Sequence, residues 1–379
     1  MRERLLIALM ALVWGSAAKV YGRLAAQARA RRLALAPPPP DPRSLPGVTV
    51  LLPVLNERSR LPVSLSTLTA CGPPVSTVAV IDTGSTDGTP ELVRAFMPRD
   101  PRLMLIEAGP PPPWWANGKA WGLRCGMDAV DTPWVLMTDA DVRWRADAPA
   151  RLIATAVSEE LDAIAGAPQM DVSGPLATLH ASMLASLIFR VGLPGALPRS
   201  SAEVLANGQV LLARADRLRS EELWRLAAES RCEDVTLLRT LYHRGAAVGS
   251  VEVEDVEVAM YESIADAWQN WPRSLALRDG LTAPSPWLGL AEAAAVQALP
   301  LALAAVPAAG RAAAAVKGSA AVLFLLRAGV AWGMSRAYPR ARLWAALAPL
   351  ADVPVSVRLW QSALARRHRW RGRLLSGVA

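Results

Sequence analysis

The groups best suited to chemistry in this 379-residue chain are carboxylates standing just after short apolar runs. Asp139 and Asp141, one residue apart behind the run 134–137, can together hold a divalent cation, Mn2+ or Mg2+, which would neutralise a diphosphate. A D-x-D pair is common on surfaces, and its place after a buried strand is what gives it weight. Asp82 emerges from the apolar run 78–81 and opens a stretch rich in glycine and hydroxyls, residues 82–89. There Gly84 lets backbone approach a ligand, and Ser85 and its neighbours can hydrogen-bond a base and ribose. Asp87 and Thr89 read at least as well as helix caps. A third cluster, Pro53, Asn56 and Glu57, closes the run that begins at Val48. Cys71, Cys125 and Cys232 are widely spaced, as are His180, His243 and His368, which excludes a disulfide framework, a zinc knuckle and a relay of several histidines.

Positioning these groups requires alternating elements. Runs 48–54, 78–81, 103–106 and 134–137 read as strands, and 61–70, 90–96 and 118–129 carry helical spacing. Strands separated by helices of this length imply an α/β domain with a parallel sheet covered on both faces, and ligands of such sheets collect at the carboxyl ends of the strands. All three clusters sit at such ends.

The ends of the chain are of another character. Over half the residues are apolar (52%), with mean hydropathy +0.23 and 31 prolines, which excludes a disordered or fibrous chain and leaves room for membrane-embedded elements. The net charge of +8 is carried by arginine, since Lys19, Lys119 and Lys317 are the only lysines. No aromatic-interleaved basic stripe accompanies it, so the expected counter-surface is anionic lipid rather than nucleic acid. Residues 5–18 are apolar, short of a full span, and followed by basic residues, the form of an anchor with its flank toward the cytosol. A cleaved secretory signal is the rival reading.

Expected divisions are an anchor at 1–24, a stiff proline-rich linker at 25–46, a catalytic domain at 47–262, an interfacial helix at 263–285 and membrane and amphipathic helices at 286–379. Within the last, 286–309 and 312–332 are plausible spans. Residues 343–364 are expected to form an interfacial amphipathic helix or a third span, with the basic run 366–373 deciding between them. Seven of the 14 tryptophans lie at or beyond Trp268, where they suit headgroup depth.

Together the clusters resemble the inverting family 2 glycosyltransferases of the GT-A fold. The resemblance runs in order through residues 53–57, 82–89, 117–120, 139–141, 207–209 and 233–234, and covers Val48 to about Asp279. It implies a Rossmann-like GT-A sheet with C-terminal membrane or interfacial helices, and a nucleotide-sugar donor, most simply a UDP-sugar. Asp82 would then hydrogen-bond the base, while Asp139 and Asp141 would serve the sugar nucleotide and its metal. Lys119 would contact phosphate or orient Asp139, unless it is a solvated helix-start lysine. Asp234 would be the general base of a single displacement, beside Glu233, although acids at a helix start have a capping reading too. Gly208 and Gln209 belong to the same motif set. The family's membrane-surface Gln-x-x-Arg-Trp segment corresponds here to Gln269, Trp271 and Arg273, with one extra residue and no following tryptophan, a departure that weakens a processive polysaccharide reading. Within the family the chain looks most like membrane enzymes of carotenoid or hopanoid biosynthesis. That implies transfer of one hexose to a membrane lipid from the cytosolic side of a bacterial-type inner membrane. A polyprenyl-phosphate-dependent polysaccharide enzyme, a nucleotidyltransferase and a non-catalytic membrane scaffold are the alternatives.

Overall fold

The structure, a computed structural model, describes residues 2–275, 286–307, 310–365, 367–370 and 373–376. Helix α1 (Arg2–Arg29) precedes a run of alternating elements: β1 (Val48–Val54), α2 (Leu61–Ala70), β2 (Val75–Asp82), α3 (Thr89–Phe96), β3 (Leu103–Glu107), α4 (Gly118–Gly126) and β4 (Trp134–Thr138). The chain continues through β5 (Val142–Trp144), α5 (Ala148–Ser158), β6 (Ala163–Met170), α6 (Gly174–Val191), β7 (Val210–Arg214), α7 (Ala215–Leu218), α8 (Glu221–Glu229), α9 (Glu233–His243) and β8 (Val248–Val258). After these come α10 (Ile264–Leu275), α11 (Pro286–Gln297), α12 (Leu299–Ala304), α13 (Arg311–Met334), α14 (Arg342–Ala346) and α15 (Asp352–Leu364), then a hairpin of β9 (Arg367–Trp370) and β10 (Arg373–Ser376).

Strands one to eight form a single sheet in the order β3-β2-β1-β4-β7-β6-β8-β5. The sequence suggests a parallel sheet, and this holds for β1 to β4, whose near-continuous apolar runs are those of strands covered on both sides. Elsewhere the sheet is mixed. β7 runs antiparallel to both β4 and β6, and β5 antiparallel to β8. The reversal of β7 has a consequence for chemistry: Val210 pairs with Thr138, so the residues entering β7 meet the residues leaving β4. One apolar core, with Leu52, Leu65 and Ile153, lies on one face of the sheet; another, with Leu51, Leu123, Trp224 and Leu238, lies on the other.

Beyond the sheet, α6 packs with α1, α11 and α13 through Val13, Val20, Phe189 and Leu323, and with α10, α14 and α15 through His180, Trp271 and Tyr338. Two helical segments, Gly174–Val191 and Arg311–Ala337, are long and apolar enough to cross a membrane by length and composition; 61% of the first window is buried within the protein, against 28% of the second.

Several divisions drawn from sequence shift. The residues expected to form an anchor continue as helix to Arg29, and the expected free linker is stapled to the catalytic domain. Arg31 pairs with Glu159 at 2.6 Å, Leu33 N donates to Gly195 O at 2.7 Å, and Ala36 N donates to Thr155 Oγ1 at 2.8 Å. The tract 286–309 is two short helices rather than one span, divided where Pro300 prevents continuation; its residues 308 and 309 lie outside the described residues. The tract 343–364 is likewise divided, by a short turn at Ala348–Ala351 that contains Pro349, and Asp352 beyond it turns inward. It pairs with Arg327 at 2.7 Å and accepts from Ser182 Oγ at 2.6 Å, which no surface helix would permit. Of the expected basic run, Arg366 and Arg371 lie outside the described residues, as do residues 276–285.

Candidate active site

The carboxyl ends of β1 and β4, the turn before β7 and the starts of α4 and α9 surround a cavity of about 860 Å³. At its centre stands Lys119 on the first turn of α4. Its Nζ lies 2.6 Å from Asp139 Oδ1 and 3.1 Å from Glu233 Oε1, and donates to Gly208 O at 3.3 Å. Four separate segments therefore converge on one ammonium. Asn117 caps α4 by accepting from Lys119 N and Ala120 N, each at 3.0 Å, while its Nδ2 donates to Ser230 O at 3.0 Å and Glu233 Oε2 at 3.1 Å. That side chain ties the start of α4 to the start of α9.

Asp234 faces the same space. Its Oδ2 accepts from Gly208 N at 2.7 Å and its Oδ1 from Val235 N at 2.9 Å, so backbone donors fix its rotamer. Glycine at 208 is demanded by proximity: a Cβ there would lie 2.6 Å from Lys119 Nζ and 3.3 Å from Glu233 Oε1. Asn207 Oδ1 receives Gln209 N at 3.0 Å, and Thr138 Oγ1 donates to Gln209 O at 2.9 Å, which fastens this turn to the end of β4. The segment 207–209 is a turn leading into β7.

Asp139, Asp141, Glu233 and Asp234 are four of eight acidic residues lining this cavity, against Lys119 and five arginines. Burial pushes the Asp234 carboxyl up to about 6, with Glu233 adding and Lys119 opposing. Asp139 is pushed up to about 6 as well, by burial and then by Asp141, against the pull of Lys119. Burial would also raise Glu233, but Lys119, the backbone and Asn117 outweigh it and hold Glu233 below its ordinary value. For Lys119, burial opposes the charge and the surrounding acids, Asp139 first, override it and hold the ammonium above its ordinary range. The divergent shifts mark a polarised site with excess negative potential.

Of the residues singled out from sequence, Pro53, Glu57, Lys119, Asp139 and Asp141 line the cavity from one side, and Gly208, Gln209, Glu233, Asp234, Trp271 and Arg273 from the other. Asp82, Asn56, Gly84 and Ser85 do not. The Asp82 carboxylate is buried in its own loop, accepting from Gly84 N and Ser85 N at 3.0 Å, and Thr83 takes its place on the wall. Asn56 adopts φ +55° and accepts from Thr86 N at 2.8 Å, while its own N donates to Ser85 Oγ at 2.8 Å. These contacts clasp the loops after β1 and β2 together. Asp87 accepts from Arg58 N and Thr89 N at 3.0 Å, tying the loop before α3 to the loop after β1, while the N-cap position of α3 is taken by Gly88.

On α10 the face turned to the cavity carries Asn270, Trp271 and Arg273; Gln269 is exposed and lies outside it. Trp271 is 6% exposed with its ring 3.9 Å from that of His180, so it is packed in protein rather than set at headgroup depth. The Gln-x-x-Arg-Trp correspondence thus loses its glutamine. Asn117 belongs to the motif 117–120, Asn270, one turn before Arg273, was legible only as a neighbour of Gln269 and Trp271, and Tyr261 and Arg60, also on the wall, carried no signal.

Residues 49–193 match the glycosyl transferase family 2 model. Among solved structures, the mannosyltransferase PcManGT from Pyrobaculum calidifontis, in complex with GDP-Man and Mn2+, is similar over 96% of this chain and 99% of its own, at 21% identity and a TM-score of 0.57. Glucosyl-3-phosphoglycerate synthase of M. tuberculosis matches at 15% identity over 64% of this chain and 85% of its own (TM-score 0.41), and S. aureus TarS 1-349 at 13% over 86% and 95% (TM-score 0.42). No functionally curated protein matches the sequence significantly.

Proposed function

We propose that this chain, a glycosyltransferase whose residues 49–193 carry its family 2 domain on a GT-A fold, transfers one hexose from a nucleotide-diphosphate sugar to a membrane lipid. The donor is most simply UDP-linked and the displacement inverting. Asp234 carries the reading: it is a cavity-facing carboxylate held by two backbone N–H groups, with its proton affinity raised toward neutrality.

In that reaction Asp234 takes the proton of the acceptor hydroxyl as its oxygen bonds to the anomeric carbon. The bond from that carbon to the diphosphate breaks on the opposite side, and the electron pair leaves with the nucleoside diphosphate. Lys119 keeps Asp139 and Glu233 ionised and in position. Among the described residues no three His, Cys, Asp or Glu side chains gather to enclose a metal. Two oxygen-donor carboxylates on an open wall nevertheless fit a hard divalent cation that completes its shell with diphosphate oxygens, and Asp139 and Asp141 would hold it. Such a cation, Mn2+ or Mg2+, supplies charge neutralisation to the departing diphosphate. Pro53 and Glu57 would flank the donor, with Arg273 available to the diphosphate and Gln209 and Trp271 to the acceptor. Asp82, Asn56, Gly84 and Ser85 would act by shaping the donor loop.

The lipid reading draws its support from the exposed apolar side chains of α13 and the segments after it, among them Leu325 at 69%, Trp332 at 59% and Leu343 at 74%. A scattered surface leucine means little, but a helix face of them marks a contact with membrane or protein. A carotenoid or hopanoid is the acceptor class proposed, presented at the cytosolic face of an inner membrane.

The test is full-length protein incubated with labelled UDP-glucose, and in parallel GDP-mannose, together with membrane lipid extract and Mn2+. Labelled lipid is expected from wild type and none from Asp234→Asn, with UDP binding by calorimetry unchanged. Turnover in the Asn variant, or label confined to water-soluble polymer, would refute the assignment.

A further inference from the structure

The cavity has two kinds of lining. Charged residues, among them Asp234, Lys119, Arg273 and Arg336, share it with an apolar set, Leu184, Leu187 and Ile188 of α6, with Leu275 of α10 and Met334 at the end of α13. Residues 184, 187 and 188 lie one helical turn apart and so form a single apolar stripe. The remainder of α6 is occupied by protein, since Phe189 packs edge-on to Tyr21 and His180 packs on Trp271. An apolar stripe in a cavity otherwise rich in charged side chains has no role in holding a charged sugar nucleotide.

The same wall connects to the outside. The final turn of α13 brings Gly333 and Met334 to the cavity, next to Trp332, which is 59% exposed, while Leu325, two turns earlier, is 69% exposed. The exposed apolar side chains of α13 thus lie within two turns of Met334, which lines the same cavity as the α6 stripe. Methionine suits such a passage because its thioether adapts to chains of differing shape.

We propose that Leu184, Leu187, Ile188 and Met334 form a binding subsite for the proximal apolar chain of the acceptor, which enters beside Trp332 and brings its hydroxyl toward Asp234. The proposal rests on the lipid-acceptor reading above and adds where the chain lies. Specificity then divides between two walls: the donor is sorted by the ends of β1 and β4, the acceptor by α6 and the end of α13.

Full-length protein in phosphatidylcholine and phosphatidylglycerol vesicles, with UDP and Mn2+, is irradiated with a diazirine-bearing hexadecanol, and the labelled peptides are mapped by mass spectrometry. Label is expected on the peptides holding Leu184 to Ile188 and Met334, as well as on the outer face of α13. Leu187→Trp, which fills the stripe, should lower the α6 and Met334 label at least about fivefold and leave that at Leu325 unchanged. Retained UDP binding shows that the variant is folded, and Met334→Trp serves in its place if it is not. Label restricted to Leu325 and Trp332 in wild type, or unaffected by either bulky variant, overturns the subsite while the membrane reading stands. Absence of label from both α6 and α13 overturns both.

Discussion

Two buried charge clusters in this molecule are built on opposite terms. In the helical part, Arg327 and Asp352 are 2% and 1% exposed in their side chains, paired through two contacts of 2.7 and 2.9 Å, and Ser182 Oγ and Gln297 Nε2 also donate to the same carboxylate. One positive charge meets one negative charge, and neither side chain lines the cavity that holds Lys119. At the end of the sheet, Lys119 stands among Asp139, Glu233 and Asp234, Asp139 remains 29% exposed, and the open cavity that reaches them is lined by eight acidic and six basic residues. A balanced, sealed pair has no unmet electrostatic demand and holds helices together. An unbalanced, accessible cluster is destabilised by its own repulsion and is relieved when a cation and a proton-bearing substrate arrive. The contrast separates architecture from chemistry without reference to any motif.

The largest effect expected is at the open cluster: Asp234→Asn should lower transfer by about 10²- to 10⁴-fold in steady-state assays while leaving the melting temperature near that of wild type. The sealed pair should answer in the opposite way. Asp352→Ala strands the Arg327 charge and should reduce stability by about 3–5 kcal/mol in denaturant titration, with kcat of the surviving folded fraction little changed. If the two variants exchanged phenotypes, the division would collapse. Gly208→Ala should be intermediate. Its methyl group displaces Lys119 or Asp234 by a fraction of an ångström, and about a tenfold or greater fall in kcat is expected, with UDP affinity reduced less.

The most modest effect concerns pH. A base with its proton affinity raised to about 6 acts only when deprotonated, so kcat/KM should fall below about pH 6 and level off above it. Because Asp234 is coupled through Lys119 and Glu233 to Asp139, the inflection belongs to the group, and Mn2+ should move it downward. A profile flat from pH 5 to 8, measured over roughly the range in which such a base titrates, would remove Asp234 from this role.

What the sequence made legible was local. β1 and α2 begin and end where their apolar patterns do, because a strand covered on both faces and a helix with one buried face leave direct traces in composition. Asp139 and Asp141 stand after β4 for the same reason. Less accessible was anything that depends on a distant pairing. The antiparallel direction of β7, which carries Gly208 to Asp139, has no signature within residues 207–214 themselves. Nor could the chain announce that Asp82 would spend its oxygens on Gly84 and Ser85, since an Asx turn and a ligand contact use the same side chain. Asp352 looked like the polar face of a surface helix because its partner, Arg327, belongs to another element.

The segment following α1 gives the molecule one more property. Gln27 accepts from Leu193 N at 3.0 Å, Arg32 grips the carbonyl of Pro194, and Leu33 binds Gly195, while Leu193 and Pro194 themselves border the cavity. This stretch of the cavity rim is consequently held in place by residues 27–33, far from it in the chain. Loosening of that segment would therefore loosen a wall of the cavity as well as the packing of α1.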